Sequence, residues 1–517
     1  MNKYLLGNQL ERSARLYPNK PAVIFNHCST TWAEVMEAAQ AQTLALAQQG
    51  VATSDRVAVL SLNSDYYFSL YFAVPSTGAI IVPLNTRLAD PELVQWVNDC
   101  GAKFLLVGTD FVETVQRIRQ LCPSVSHYLY LGDGPCPAGM QRLETVTEST
   151  HQSYQEQDIA TLFYTGGTTG RSKGVIQTHE AILVNTLQWI IATQTNNADT
   201  LLIATPMFHL VAGTNCIAAA TLGATVVILP RFEPELALQA IEKHGVTKIA
   251  LVPTMVDMLI RYDTFANYDI SSLKEISYGA APMPEEILSQ AQNAMPHVKF
   301  TQIYGQTECC GAVSCLPHEY HTSIGPNAKK RRSAGRPLIG TDIAIFSKES
   351  VNLSHGDVGE ICVRGPSTTR GYWGDDIKTQ ELYWGEWLRT GDLGYMDADG
   401  FLYIVDRLKD MIVTGGENVF ASEVENVLYN LDGVLQCAVI GIPSDKWGEQ
   451  VHAVIMRPPG STLSEDTVMK YCRDQLANYK CVRSVEFQDE GLPVNAMNKI
   501  LKQPLRDIWW KGKANKI

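Results

Sequence analysis

The stretch Tyr164-Thr165-Gly166-Gly167-Thr168-Thr169-Gly170-Arg171-Ser172-Lys173-Gly174 carries the clearest chemistry in the chain. Its glycines let the backbone turn sharply and approach an anion. Threonine hydroxyls and consecutive amides add donors that can form an anion-binding nest. Lys173 supplies a compact positive charge. The pattern matches neither G-x-x-x-x-G-K-[ST] nor G-x-G-x-x-G, so it is neither a Walker loop nor a dinucleotide fingerprint. The alternative is a polar surface hairpin, but glycines, paired threonines and a lysine in this order favour a phosphate cradle. Other candidates read singly are bland. Tyr304 alone is a core aromatic, His209 a satisfied core histidine, and Thr307-Glu308 a solvated turn. Asp392 and Arg407 alone are solvated charges.

The elements that must position these residues show two patterns. Residues 31–49 read as a helix, 56–62 as a strand, 79–84 as a strand, 92–100 as a helix and 103–107 as a strand. Residues 224–229, 234–244 and 248–252 repeat strand, helix and strand, and the phosphate stretch follows an apolar run at 159–163. Such alternation implies βαβ units and largely parallel sheets covered on both faces. After about residue 340 the pattern changes. Strands at 341–346, 359–364 and 401–405 lie close together with Gly/Asp turns, which predicts a compact module of hairpins. Beyond Asp406, a helix at 422–430, strands at 436–441 and 451–457 and a helix at 464–475 predict a small α+β terminal domain.

Composition sets outer bounds. The chain has 517 residues, 45% hydrophobic and 19% charged, which excludes low-complexity disorder. Lys+Arg 42 against Asp+Glu 54 gives 42 − 54 = −12, which argues against a nucleic-acid partner but not against a locally basic pocket. No run approaches the ~18 apolar residues of a membrane span, and the first residues lack a signal peptide's features. Twelve cysteines are scattered without a CxxC pair. Free buried thiols in a reducing cytoplasm are expected, rather than a disulfide framework or a metal site.

The phosphate stretch resembles that of the adenylate-forming superfamily, which includes acyl-CoA synthetases, with Ser172 where proline is usual. The resemblance continues in order along nearly the whole chain. It runs through Pro206-Met207-Phe208-His209, Tyr278-Gly279-Ala280-Ala281-Pro282, Tyr304-Gly305-Gln306-Thr307-Glu308 and Thr390-Gly391-Asp392. It goes on through Asp406-Arg407-Leu408-Lys409-Asp410, Gly415-Gly416-Glu417-Asn418-Val419 and residues 493–502 (PVNAMNKILK). It implies an α/β fold with a large N-terminal domain (1–408) of two parallel-sheet αβαβα subdomains plus a β-rich subdomain. A small mobile α+β C-terminal domain (409–517) would cap it.

The implied activity joins a carboxylic acid to ATP, releasing pyrophosphate, and passes the acyl group to coenzyme A. Thr165, Gly166, Gly167, Thr168, Thr169, Gly170 and Lys173 would hold the β- and γ-phosphates, and Glu308 would bind Mg²⁺. Thr307 would contact the α-phosphate. Gly279, Ala280, Ala281 and Tyr304 would receive adenine, and Asp392 and Arg407 the ribose. Lys499, preceded by Asn498 where glycine is usual, would bridge α-phosphate and carboxylate. Lys409 matches the hinge position, and Gly415 and Gly416 would line the pantetheine passage. Lys480 and Arg483 either meet the CoA nucleotide or are solvated cations; Val482 between them replaces a usual proline. His209 would sit between acyl pocket and passage. Lys329-Lys330-Arg331-Arg332 reads as a solvated loop before a CoA or carrier contact.

Residues 209–214, 252–254, 278–280 and 309–312 would form the acyl pocket. No Asp follows Phe208 to pair with a substrate ammonium, which disfavours α-amino acids. Val211, Ala212, Gly213, Cys309 and Gly311 point to an apolar, small-walled pocket and a medium- or long-chain aliphatic acid, with an aryl acid as the alternative. A carrier-protein pantetheine is the alternative acceptor, and a homodimer is compatible with this reading.

Overall fold

The computed structural model describes residues 4–143, 154–165, 172–494 and 499–511. Local chemistry starts the elements where the sequence predicts. The helix Trp32–Gln48 begins at a capping box: the Thr31 hydroxyl accepts from the Glu34 amide while the Glu34 carboxylate accepts from the Thr31 amide. Pro234–His244 opens with proline in its first turn and closes on left-handed Gly245. Strands Ile80–Pro83, Phe104–Val107 and Thr225–Ile228 are buried at every residue, as expected for parallel strands covered on both faces.

Two largely parallel sheets form the body. The seven-stranded sheet runs Gln141–Arg142, His127–Tyr130, Phe104–Val107, Arg56–Leu60, Ile80–Pro83, Ile159–Thr165, Lys173–Thr178, with the last strand antiparallel. The nine-stranded sheet has Lys299–Gln306, Glu275–Gly279, Lys248–Leu251, Thr200–Ile203, Thr225–Ile228 and Pro21–Phe25 as its parallel centre. One core cluster joins the two sheets. Val57 and Leu106 of the first and Leu201 and Ile228 of the second pack into it with Trp32, Tyr67 and Tyr71.

The predicted hairpin module is a five-stranded antiparallel sheet containing Asp342–Phe346, Gly359–Arg364, Trp387–Met396 and Leu402–Arg407. The chain then changes sheet between Arg407 and Ile412. Ile412–Thr414, Glu417–Val419, Gln436–Ser444 and Gly448–Met456 make a separate sheet that Ser484–Gln488 joins in parallel. Helices Ala421–Leu428, Glu465–Gln475 and Lys502–Trp510 pack with it.

In parallel α/β sheets, ligands bind beyond the C-terminal ends of the strands. Thr165, Gly279 and Gln306 end their strands, and Pro206-Met207-Phe208-His209 follows Thr200–Ile203. The recognisable motifs therefore converge on one rim. At the opposite end, buried Lys248 pairs with Glu275 at 2.9 Å, with Asp199 at 3.9 Å. All twelve cysteines are free thiols, and all but Cys28 and Cys136 are buried.

Candidate active site

The strands Ile159–Thr165 and Lys173–Thr178 place Thr165 opposite Lys173 at the base of the phosphate loop. Gly166, Gly167, Thr168, Thr169 and Gly170 lie outside the described residues. The base is rigid for identifiable reasons. Tyr164 stacks on Trp96 with centroids 4.8 Å apart and donates to Asp99 at 2.6 Å. Gly174 lies against the same ring, where a Cβ would stand 3.1 Å from Tyr164. The Lys173 ammonium sits 4.4 Å from the centroid of Tyr372, whose hydroxyl donates to Glu308 Oε1 at 3.0 Å. The Thr307 carbonyl accepts from Gln177 Nε2 at 3.0 Å, and the Glu308 carbonyl accepts from the Thr369 amide at 2.7 Å.

The residues expected to receive the nucleoside lie on neighbouring strand ends. A Cβ on Gly279 would stand 2.2 Å from the Ile303 carbonyl oxygen, so only glycine lets these strands approach there. Ala280 is left-handed at φ 64, and Ala281 follows it into the loop. Tyr304 is 8% exposed and donates to Asp392 Oδ2 at 2.8 Å. Asp392 and Arg407 are cross-strand partners, with Arg407 Nε 3.2 Å from Asp392 Oδ1. Asp392 is buried, whereas the Arg407 side chain is 40% exposed, so donors remain free to meet a ligand.

Lys499 arrives from the other end of the chain. Its ammonium donates to the Ala280 carbonyl at 3.3 Å, a contact across 219 positions. Desolvation pulls its pKa down to about 7, reinforced by the Arg407 cation and opposed by Asp392 and Asp410. Two bonds tie residues 405–406 to the start of the helix Ala421–Leu428. The Ala421 amide donates to Asp406 Oδ2 at 2.5 Å, and the Ser422 hydroxyl donates to the Val405 carbonyl. Lys409 offers its carbonyl to Arg506 Nη1 at 2.8 Å.

Four residues of the terminal domain stand apart from this cluster. Gly415 and Gly416 form a left-handed hairpin tip (φ 59 and 85), and Gly415 packs against Trp447. Lys480 is held by both oxygens of Glu423 at 2.8 Å, and Arg483 donates to the Asn478 carbonyl at 2.6 Å. Three residues of the basic run are tied to distant parts of the chain rather than merely solvated. Lys330 pairs with Asp397 and Asp399 at 2.5 and 2.7 Å, Arg331 donates to Ser289 and Gln292, and Arg332 pairs with Glu285.

On the side expected to meet the acyl group, His209 precedes the helix Leu210–Leu222 and stacks at a tilt on Phe208, 4.7 Å between centroids. Burial drives its pKa down to about 3, with the Arg87 cation adding to the shift, so the ring is neutral at pH 7. Its buried Nε2 has no hydrogen-bond partner among the described residues. The small residues read above as pocket wall are used differently. A Cβ on Gly213 would stand 3.2 Å from the Tyr71 hydroxyl and 3.4 Å from Phe163. One on Gly311 would stand 2.7 Å from Asn185 Oδ1, and Ala212 and Cys309 are fully buried. Close packing against Tyr71, Phe163 and Asn185 accounts for the two glycines.

Two buried asparagines that no motif flagged shape this side. Asn63 donates to the Thr205 and Leu229 carbonyls, both at 3.0 Å, and accepts from the Met207 amide at 2.7 Å. Asn185 donates to the Ala312 carbonyl at 2.6 Å and accepts from the Ala312 amide at 3.0 Å. The available signal was only a polar side chain at an interior position. Asn185→Ala should destabilise the protein by about 1–3 kcal/mol by orphaning both Ala312 groups, and should raise the KM for the acid. Urea unfolding and initial rates test this; unchanged stability with unchanged KM would refute the clamp.

Comparison with known proteins places the site in a family. The model of the AMP-binding enzymes matches residues 10–373, and that of the AMP-binding enzyme C-terminal domain matches residues 423–499. The chain is 35% identical over 507 residues to a feruloyl-CoA synthase of Amycolatopsis sp, covering 97% of this chain and 98% of that one. It is 33% identical over 505 residues to a long-chain-fatty-acid–CoA ligase of Mycobacterium tuberculosis, with coverage of 97% and 98%. The solved O-succinylbenzoate CoA synthetase of Bacillus subtilis, in complex with ATP and magnesium ion, aligns with TM-score 0.85 at 30% identity, covering 97% of this chain and 99% of that one.

The chain belongs to the AMP-binding enzymes, the adenylate-forming superfamily. It is an acid–thiol ligase of the acyl-CoA synthetase type. Among the described residues no cluster of three or more His, Cys, Asp or Glu could hold a metal. The donor set at Glu308 is a single carboxylate, which suits a cation such as Mg²⁺ that completes its shell with phosphate oxygens and water. Among the described residues no helix is long and apolar enough to cross a membrane.

Proposed function

We propose that this ligase activates an apolar monocarboxylic acid without an α-amino group, with a medium- or long-chain aliphatic acid as first choice. The observation that carries this is neutral His209, half-buried with its Nε2 enclosed, which stands where amino-acid-activating relatives place a carboxylate. An ammonium there would be desolvated without a partner. Leu210, Val211 and Val252 supply apolar surface nearby. An aryl acid is the second reading, favoured by the name of the feruloyl-CoA synthase relative.

In this reading Lys173 and the loop 165–170 hold the β- and γ-phosphates, and Glu308 holds Mg²⁺, which neutralises phosphate charge when bound. Thr307 serves the α-phosphate. Gly279, Ala280, Ala281 and Tyr304 receive adenine, and Asp392 and Arg407 receive the ribose. Lys499 offsets the repulsion between α-phosphate and carboxylate as they approach. The join between 1–408 and 409–517 acts as a hinge at Lys409. Rotation withdraws Lys499 and brings Gly415 and Gly416 to a passage for the thiol of coenzyme A beside His209. Lys480, released from Glu423, and Arg483 then meet the CoA nucleotide. The buried free thiols suit a cytoplasmic location.

The test is pyrophosphate exchange and thioester formation over octanoate to palmitate, benzoates, cinnamates and α-amino acids, with CoA and with a holo-carrier protein. The first reading expects the strongest exchange with aliphatic acids and thioester with CoA alone. Preference for cinnamates would establish the second, and preference for an amino acid would overturn both.

A further inference from the structure

Lys173 and Glu308 carry opposite charges, and the Tyr372 side chain stands between them. Its ring face receives the Lys173 ammonium at 4.4 Å, and its hydroxyl donates to Glu308 Oε1 at 3.0 Å. The ring is 7% exposed, so its position is set by packing. Backbone bonds fix it from both sides. The Trp373 amide donates to the Gly174 carbonyl at 2.7 Å, and Tyr372 bridges to Val175. The Tyr372 amide donates to Thr379 Oγ1 at 2.9 Å. Segment 369–373, from the loop after Gly359–Arg364, is thus laid between the phosphate loop's return strand and the Thr307-Glu308 turn.

We infer that Tyr372 is a positioning residue that keeps Lys173 and Glu308 apart and available, one for the polyphosphate and one for the metal. The inference rests on the roles proposed above for those two residues. A π face satisfies a cation without neutralising it. A phenol donor orients a carboxylate while leaving its second oxygen open, as partners behind metal-binding carboxylates do. With the ring removed, Lys173 and Glu308 would collapse onto each other, and ATP with its metal would have to break that pair before binding.

The test is equilibrium binding to the full chain without acid substrate, using AMP, metal-free ATP, and ATP titrated with Mg²⁺. Tyr372→Phe keeps the ring and loses the donor. It should leave AMP and metal-free ATP affinity within about two-fold and raise the half-saturating Mg²⁺ about ten-fold. Tyr372→Leu should also weaken metal-free ATP binding about ten-fold while sparing AMP. An unchanged Mg²⁺ requirement in Tyr372→Phe, or metal-free ATP binding equal in the two variants, would overturn the inference. So would loss of AMP binding in Tyr372→Phe, which would mark general collapse. Lys173→Met and Glu308→Gln run in parallel. If neither alters binding of ATP or Mg²⁺, it is the underlying phosphate and metal assignment that fails.

Discussion

Lys499→Ala is expected to slow acyl-adenylate formation by about 10²–10³-fold, the usual loss when a preorganised charge stabiliser is removed from a transition state. Thioester formation from supplied acyl adenylate should be nearly unaffected, because the proposed hinge rotation removes Lys499 from that step. Single-turnover assays of the two half-reactions separate these outcomes, and equal losses in both would refute the division of labour. The lysine's environment adds a pH signature. Its pKa is about 7 in the folded protein, lowered by desolvation and by Arg407, against the ordinary 10.5. Between pH 7 and 10.5 the unfolded chain therefore binds more protons, and stability rises with pH. Below pH 7 the native protein bears the full cost of a charged, desolvated ammonium. Lys499→Met should thus raise the nucleotide-free melting temperature most near pH 6, with the gain fading towards pH 10. A gain independent of pH would contradict this assignment.

Lys248→Met should destabilise the protein by about 3–5 kcal/mol, because it leaves buried carboxylates without a counter-charge. Lys248 Nζ lies 2.9 Å from Glu275 and donates to the Thr193 carbonyl. Asp199, 3.9 Å away, also accepts from Thr247 Oγ1 at 2.9 Å. All of these are buried. Lys248 and Glu275 begin their strands, at the sheet end remote from the proposed nucleotide rim, so the KM for ATP of the folded fraction should not change. The companion Lys248→Met/Glu275→Leu should recover a large part of the loss, since a buried pair replaced by apolar groups is often close to neutral. Urea unfolding of the three variants measures this, and a double variant no better than the single would show that the pair does not act as a unit.

How much was legible beforehand depends on the range of the interaction. Pro234–His244 and Gly359–Arg364 have the bounds their local patterns predict. Gln436–Ser444 and Gly448–Met456 run past theirs, because register pairing continues from Gln436↔Met456 to Ser444↔Gly448 after the apolar runs have ended. Gly213 and Gly311 read as pocket wall, yet Tyr71 and Asn185 fill the space their missing Cβ atoms leave. A small residue's type says that space is needed, not what occupies it. Tyr372 belonged to no recognised pattern, since its partners Lys173 and Glu308 lie far from it in the chain.

The amino-acid sequence by itself determined the alternation of strands and helices and the membership that ordered motifs express. Each of these is written in residue types at short spacing, where backbone conformation and hydrogen-bonding capacity are local properties. Only the tertiary structure decided that Lys499 meets Ala280 and that Tyr372 separates Lys173 from Glu308. Only it decided that Lys480 is held by Glu423 rather than free. These contacts join residues on different elements, and close packing and desolvation select among charge partners that spacing along the chain leaves equivalent.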